Sequence, residues 1–205
     1  MRRIKAVFAI SLIAFNVIAG EDKSKEQKTI IIDQWMKAGN FEVKLPAFND
    51  TPNIKDKKYT YSDLLKFEYL DIVKLEPKQG KSLSWNENNQ TIWSKERTDK
   101  KGFVHPGRNE RKSGNLLAYY ATYIFTDRWI EAEIEVTTPQ RSLIYIDGKE
   151  IADKSSPDKS NRELSPVKKK IKLERGNHLL IIKSLKEKDS NSEWKIKAQV
   201  NIEPG

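Results

Sequence analysis

Cysteine is absent from this 205-residue chain. No disulfide can hold the fold, no thiol can serve as nucleophile or ligand, and no lipid can be attached through an amino-terminal Cys. The apolar core must stabilise the domain alone, which a chain of this length permits. Histidine is scarce: only His105 and His178 occur. Neither has a second histidine close in sequence, and no local carboxylate spacing completes a metal site around either one. A G-x-S-x-G elbow for a serine nucleophile is missing too. Gly80-Lys81-Ser82 has the ending of a phosphate loop. Leu75 stands where its first glycine belongs, Pro77 interrupts it, and no helix is expected to follow. We therefore expect no catalytic residue, no cofactor and no metal. Nor does any apolar run reach the roughly 20 residues a membrane-spanning helix needs.

What the chain does have begins with its first 20 residues. Arg2, Arg3 and Lys5 precede an apolar run over 6–19, broken only by Ser11 and Asn16. Val17 and Ala19 suit a cleavage after Ala19, which is the layout of a secretory signal peptide. The expected organisation is a signal peptide over 1–19, a polar tether over 20–29, and one domain over 30–205. The mature chain is expected to hold no transmembrane segment. It is expected in the periplasm or outside the cell of a Gram-negative bacterium. The formal charge is +9. Without the three basic residues of the leader it is +6. An exported protein lacking a nucleic-acid module gives no reason to expect a nucleic-acid partner. A basic surplus suits anionic glycans or an envelope surface.

Period-two alternation dominates the second half. In "WIEAEIEVTT", Ile130, Ala132, Ile134 and Val136 point one way and Glu131, Glu133 and Glu135 the other. Residues 167–173 alternate likewise, with Lys168, Lys170 and Lys172 on one face. The Glu and Lys faces are expected to be neighbours across a sheet. "LLAYYATYIF" is apolar on both faces and predicts a central strand covered on both sides. "RSLIYI", "HLLIIKSL" and "EWKIKAQVNI" complete the set, the last with Trp194, Ile196, Ala198, Val200 and Ile202 inward. At least five strands with turns between them predict an all-β, antiparallel, jelly-roll-like sandwich.

The first half is less regular. Residues 30–32 read as a short buried strand, and Gly39-Asn40 as a turn before a strand over 41–45. "YSDLLKFEYL" predicts one short helix capped by Ser62, with Leu64, Leu65 and Tyr69 on one face. "SLSWNENNQTIWSKE" predicts a hairpin around a polar turn at 86–90. Residues 95–115 read as a surface loop anchored by Phe103 and Val104.

"SLIYIDGKEIAD" poses a choice between a reactive carboxylate at Asp147 and a plain bend. Asp147-Gly148 suits a two-residue type I′ turn, in which both residues take positive φ, so these two are read as a structural turn. Trp35, Trp129 and Trp194 are expected in the core. Trp85 and Trp93 flank the polar hairpin and are candidates for ligand binding as a sugar-stacking platform. The competing reading is an aromatic pair that holds the hairpin. Arg108 and Arg111 on the long loop are candidates for gripping an acidic partner. The row Glu131, Glu133, Glu135 reads as a solvated sheet face rather than a catalytic set.

The order of "WMKAGNF" (Trp35, Gly39, Phe41), "LIYIDGKEI" (Tyr145, Gly148, Lys149) and "KLERGNHLLIIK" (Leu173, Gly176, Leu180, Ile182, Lys183) resembles secreted bacterial jelly-roll modules. These are related to the protective-antigen and galactose-binding β-sandwiches. Related modules often carry an Asp-Asp-Gly before the aromatic strand; here residues 137–142 read "TTPQRS", which removes the acidic pair that would serve calcium or sugar hydroxyls and argues against calcium-dependent sugar binding. "LPAF" followed by "YSDLLKFEYLDIVKLEPKQGKSLSW" is similar to the front of exported TolB-like β-propeller proteins. The resemblance implies a non-catalytic accessory module that contacts an envelope protein or a polysaccharide, with "NIEPG" as a linker-like exit. A carbohydrate-binding module is the alternative function. A glycoside hydrolase using paired acids is the remoter one.

Overall fold

The computed structural model describes residues 28–45, 58–86, 89–106, 114–160 and 162–202. The chain is an all-β antiparallel sandwich, with one short helix among the described residues. Four strands form the smaller sheet: β1 (Lys28–Ile31), β12 (Lys197–Ile202), β7 (Ile130–Thr137) and β10 (Val167–Leu173), in that order. Six form the larger: β5 (Ser94–Arg97), β2 (Gln34–Val43), β6 (Asn115–Thr126), β11 (Gly176–Lys186), β8 (Arg141–Ile146) and β9 (Lys149–Lys154). A separate hairpin pairs β3 (Ser82–Asn86) with β4 (Asn89–Ile92).

Alternation explains the smaller sheet. The inward row of β7 packs with Ile196, Ala198 and Val200 against Trp35, Tyr120, Ile144, Leu180 and Ile182 of the facing sheet. The outward row meets β10 in register: Glu131 opposite Lys172, Glu133 opposite Lys170, Glu135 opposite Lys168. Lys168 Nζ lies 3.1 Å from Glu135 Oε2, and Lys172 Nζ 3.3 Å from Glu131 Oε1. Each such cross-strand pair contributes roughly 0.2–1 kcal/mol, so part of the lysine surplus is structural.

The larger sheet is buried on both sides because the chain between β2 and β5 folds back over it. This cap consists of α1 (Tyr61–Lys66), a 3-10 turn (Ile72–Lys74) and the β3–β4 hairpin. Leu64, Leu65, Leu70, Leu75 and Trp93 of the cap and its hairpin bury Leu117, Tyr119, Ala121, Leu143, Ile181 and Leu185. Leu117, Tyr119 and Ala121 of β6 thus face the cap while Leu116, Ala118, Tyr120 and Ile124 face the smaller sheet, and beyond the cap Tyr123 and Phe125 are exposed. That is why this strand reads as continuously apolar.

Several expectations need correction. The segment at 30–32 is not a buried strand: β1 pairs only with β12, Ile31 is 47% exposed, and only Ile32 turns inward. Gly39-Asn40 is a register shift inside one continuous strand, not a turn between two. Gly39 has φ +116, and a Cβ there would lie 2.7 Å from the Leu117 carbonyl oxygen, so only glycine permits this backbone approach. The helix cap is Thr60, not Ser62. The Thr60 hydroxyl accepts from Asp63 N–H and the Asp63 carboxylate accepts from Thr60 N–H, a reciprocal capping box. Trp129 is 54% exposed rather than core, with Lys172 Nζ 5.7 Å from its ring. The loop expected at 95–115 begins with edge strand β5 and then closes through Val104, whose backbone pairs with Ile196. Residues 107–113 lie outside the described residues, and Arg108 and Arg111 with them.

Candidate functional site

A cleft of about 640 Å³ opens between the cap and the outer face of the larger sheet. Its floor follows from strand register. Tyr119 of β6, Lys183 of β11 and Leu143 of β8 lie opposite one another in one row. The next row runs Ala121, Ile181, Tyr145 and then Glu150 of β9. Two-residue spacing puts both rows on the same face. Leu143, Tyr145, Glu150 and Lys183 therefore line the floor, while Lys66, Glu68, Leu70, Ile72 and Val73 of the cap line the wall. The bend at 147–148 forms one end, where Val73 lies 3.1 Å from the place a Gly148 Cβ would take.

Lys183 dominates the electrostatics. It is 3% exposed, and its ammonium donates to the Phe67 carbonyl oxygen at 2.6 Å. The rings of Tyr69 and Tyr119 flank it at 5.2 and 5.8 Å. Burial pushes its pKa down to about 8, against the pull of Glu68 and Glu150. Burial also pushes Tyr69 and Tyr145 up to about 12, the latter helped by Glu150 and Glu68. Tyr119 is raised as well, by burial and then by Tyr145 and Tyr69. At neutral pH the cleft thus holds protonated phenols beside an amine that loses its proton more readily than a surface lysine. Glu68 and Glu150 are both exposed on its rim.

The structure separates the candidate tryptophans from this site. Trp93 is fully buried beneath the hairpin, so it offers no face to a sugar. Trp85 is half-buried against Phe41 and Tyr69, with ring centroids at 4.7 and 5.4 Å. The two form neither the candidate sugar platform nor the competing cross-strand aromatic pair: Ser84 pairs with Gln90, and the backbone of Trp93 pairs with Lys81. Each secures the cap to the sheet separately. The Gly80-Lys81-Ser82 stretch enters strand β3, and Lys81 Nζ bonds Glu76 at 2.8 Å.

Asp147-Gly148 is a bend with positive φ at both residues, 51 and 79, which fits the type I′ turn read from the sequence. Its carboxylate has a second task. Asp147 Oδ1 accepts from Leu179 N–H at 2.8 Å, and Oδ2 lies 2.7 Å from His178 Nδ1. Burial acts to lower the His178 pKa, but hydrogen bonds to Asp147 and the Glu174 carbonyl outweigh it, and the value ends above 6.5. The folded state then holds this proton more tightly than the unfolded one. The stabilisation is complete below pH about 6.5 and is lost as pH rises through the higher folded value. Asp147→Asn keeps a residue suited to the bend and is expected to remove this slope, lowering stability at pH 6 by up to about 1 kcal/mol. Urea unfolding between pH 5 and 9 measures it.

His105 lies between Asp99 Oδ2 at 2.9 Å and Glu193 Oε1 at 3.0 Å, one on each ring nitrogen. The carboxylates meet opposite ends of the imidazole, so they do not converge on a shared ion. Among the described residues no three of His, Asp and Glu are grouped to hold a metal. No helix among them is long and apolar enough to cross a membrane.

Sequence reasoning missed Lys183, Tyr145, Glu68 and Glu150 as a group. One signal was available: a single lysine inside the apolar strand "HLLIIKSL", which the resemblance marks only as a motif position.

No family model matches the chain, and no curated protein matches it. Among solved structures it is similar to part of the β-glucosidase of Kluyveromyces marxianus. In complex with glucose, that enzyme aligns at 12% identity over 56% of this chain and 15% of that one, with a TM-score of 0.42. A selenomethionine form of it aligns at 13% identity over 43% and 11%, TM-score 0.35. A family 35 carbohydrate binding module from Clostridium thermocellum aligns at 10% identity over 47% and 82%, TM-score 0.31. The chain thus spans less than a sixth of the β-glucosidase. None of these likenesses bears on the cleft.

Proposed function

We propose that this chain is a non-catalytic binding module of an exported protein, and that its cleft takes a polyhydroxylated ligand, the terminal unit of a glycan. The observation that carries this reading is the mixed lining of one cleft. Ile72 and Val73 offer apolar surface beside the buried Leu70 and Leu143, Tyr145 a half-buried ring, and Glu68, Glu150 and Lys66 polar groups at the rim. A sugar ring needs that combination, because its C–H faces favour apolar and aromatic contact while its hydroxyls need acceptors and donors in fixed places. The signal-like leader and the envelope setting implied by the resemblance to propeller-associated modules agree with a surface polysaccharide as the source.

Glycan-array screening followed by calorimetry tests the reading. Binding is expected, with Tyr145→Ala weakening it at least tenfold, about 1.4 kcal/mol. No response to any glycan would remove it.

Glycoside hydrolysis is the second reading, because Glu68 and Glu150 line the same cleft. Both are exposed, whereas a general acid kept protonated at neutral pH is sheltered from water. The same incubations are expected to release no reducing ends. Release that Glu150→Gln abolishes would replace binding with hydrolysis.

A further inference from the structure

Two lysines are buried among the described residues, and they are treated differently. Lys154 meets the Asp158 carboxylate at 2.8 Å and the Ser165 carbonyl oxygen at 2.7 Å, so its charge is compensated. Lys183 has no carboxylate in contact. It has one carbonyl, two phenol rings and an open cleft. A charged amine kept from water without a counter-ion is unfavourable. The arrangement suits an amine that reacts.

We propose that Lys183 is a carbonyl-capture residue, whose amine adds to an α-hydroxyaldehyde, the reactive group of an open-chain reducing sugar, and holds it as an imine in the cleft. In this form it deepens the glycan reading and rests on it for the natural ligand. The amine nitrogen attacks the aldehyde carbon and forms a carbinolamine. Tyr145 lies diagonally across the β11–β8 pair on the same face, within reach of a long side chain. Its phenol, protonated at neutral pH because burial raises it to about 12, gives a proton to the departing hydroxyl, which leaves as water. The tyrosinate then takes the remaining N–H proton. One C–N double bond replaces one C–O double bond, one water is released, and nothing is oxidised or reduced. Burial also supplies the free amine: with its pKa near 8, about a tenth of Lys183 is unprotonated at pH 7, against well under a thousandth for a lysine at 10.5.

The test uses the full chain with glycolaldehyde and cyanoborohydride, which traps an imine as a stable hydroxyethyl adduct. Peptide mapping by mass spectrometry ranks the rate at every lysine. Lys183 is expected to react at least tenfold faster than the median exposed lysine and faster than Lys154. Its rate is expected to level off above pH about 8, and its lead to vanish in denaturant. Lys183→Arg is expected to lose the fast adduct without gaining another. If that variant does not fold, the ranking in the native chain decides alone. Lys183 reacting no faster than Lys154, or a rate still rising steeply beyond pH 9, overturns the proposal. Because glycolaldehyde needs no glycan recognition, failure here leaves the binding reading standing, and failure on the array leaves this chemistry standing.

Discussion

Lys183→Met is expected to stabilise the protein at pH 7 by about 2 kcal/mol, although it deletes a hydrogen bond. One pKa unit corresponds to about 1.4 kcal/mol, so a fall from 10.5 to about 8 represents a charging penalty of about 3 kcal/mol. Methionine has similar length and no charge. Losing the bond to the Phe67 carbonyl costs about 1 kcal/mol, which leaves the net gain. The sign with pH follows. Between about 8 and 10.5 the unfolded lysine still holds its proton and the folded one has released it. Stability of the native sequence therefore rises with pH in that window. Tyr69 and Tyr145, pushed up to about 12, act in the opposite sense above pH 10, where only the unfolded phenols ionise. Glu68 and Glu150 face the amine too. Denaturant titrations should show the native protein most stable near pH 10. The methionine variant should be flat from 8 to 10 and lose its advantage there. A variant less stable than the native protein at pH 7 would mean that Lys183 serves mainly as a tether for the cap.

Trp93→Ala is expected to cost 3–5 kcal/mol, the range for deleting a buried indole. Trp93 is wholly enclosed by the cap and sheet, and its Nε1 has no hydrogen-bond partner. Its contribution is therefore packing alone, and the loss is a cavity between the two. Against a total stability of roughly 5–15 kcal/mol, that leaves a marginal domain. Urea unfolding measures the change. Trp93→Phe keeps a ring, and with it the cleft, so ligand affinity should stay within about twofold of the native value. A loss of affinity as large as that of Tyr145→Ala would return the indole to the binding surface.

The contrast between these two residues shows what the sequence could tell. Wherever alternation was clean, the faces were legible, and the Glu and Lys rows met in register because opposite charges at every second residue of paired strands leave few other arrangements. The bend at Asp147-Gly148 was legible because only a narrow set of residues accepts positive φ there. The first half was not, since its fate depends on what lies beneath it. Trp85 and Trp93 flank a polar hairpin in sequence, and nothing local says that the hairpin lies on a sheet and hides one indole wholly and the other in part. Gly39-Asn40 reads as a turn until Leu117 of a distant strand takes the space above Gly39. The cleft was the least legible part. Its wall comes from residues 66–73 and its floor from Leu143, Tyr145, Glu150 and Lys183, at least 70 residues later, so the neighbours that perturb Lys183 cannot be read from spacing along the chain.

The Glu–Lys ladder of the smaller sheet also gives the molecule a front and a back. Ionic stitching covers the back, and added salt will loosen it while leaving the cleft, on the opposite side, largely indifferent. If the module is carried within a longer polypeptide, its orientation then has consequences: the stitched surface can face bulk water or a charged neighbour, while the proposed cargo requires the side bearing Lys183 to stay clear.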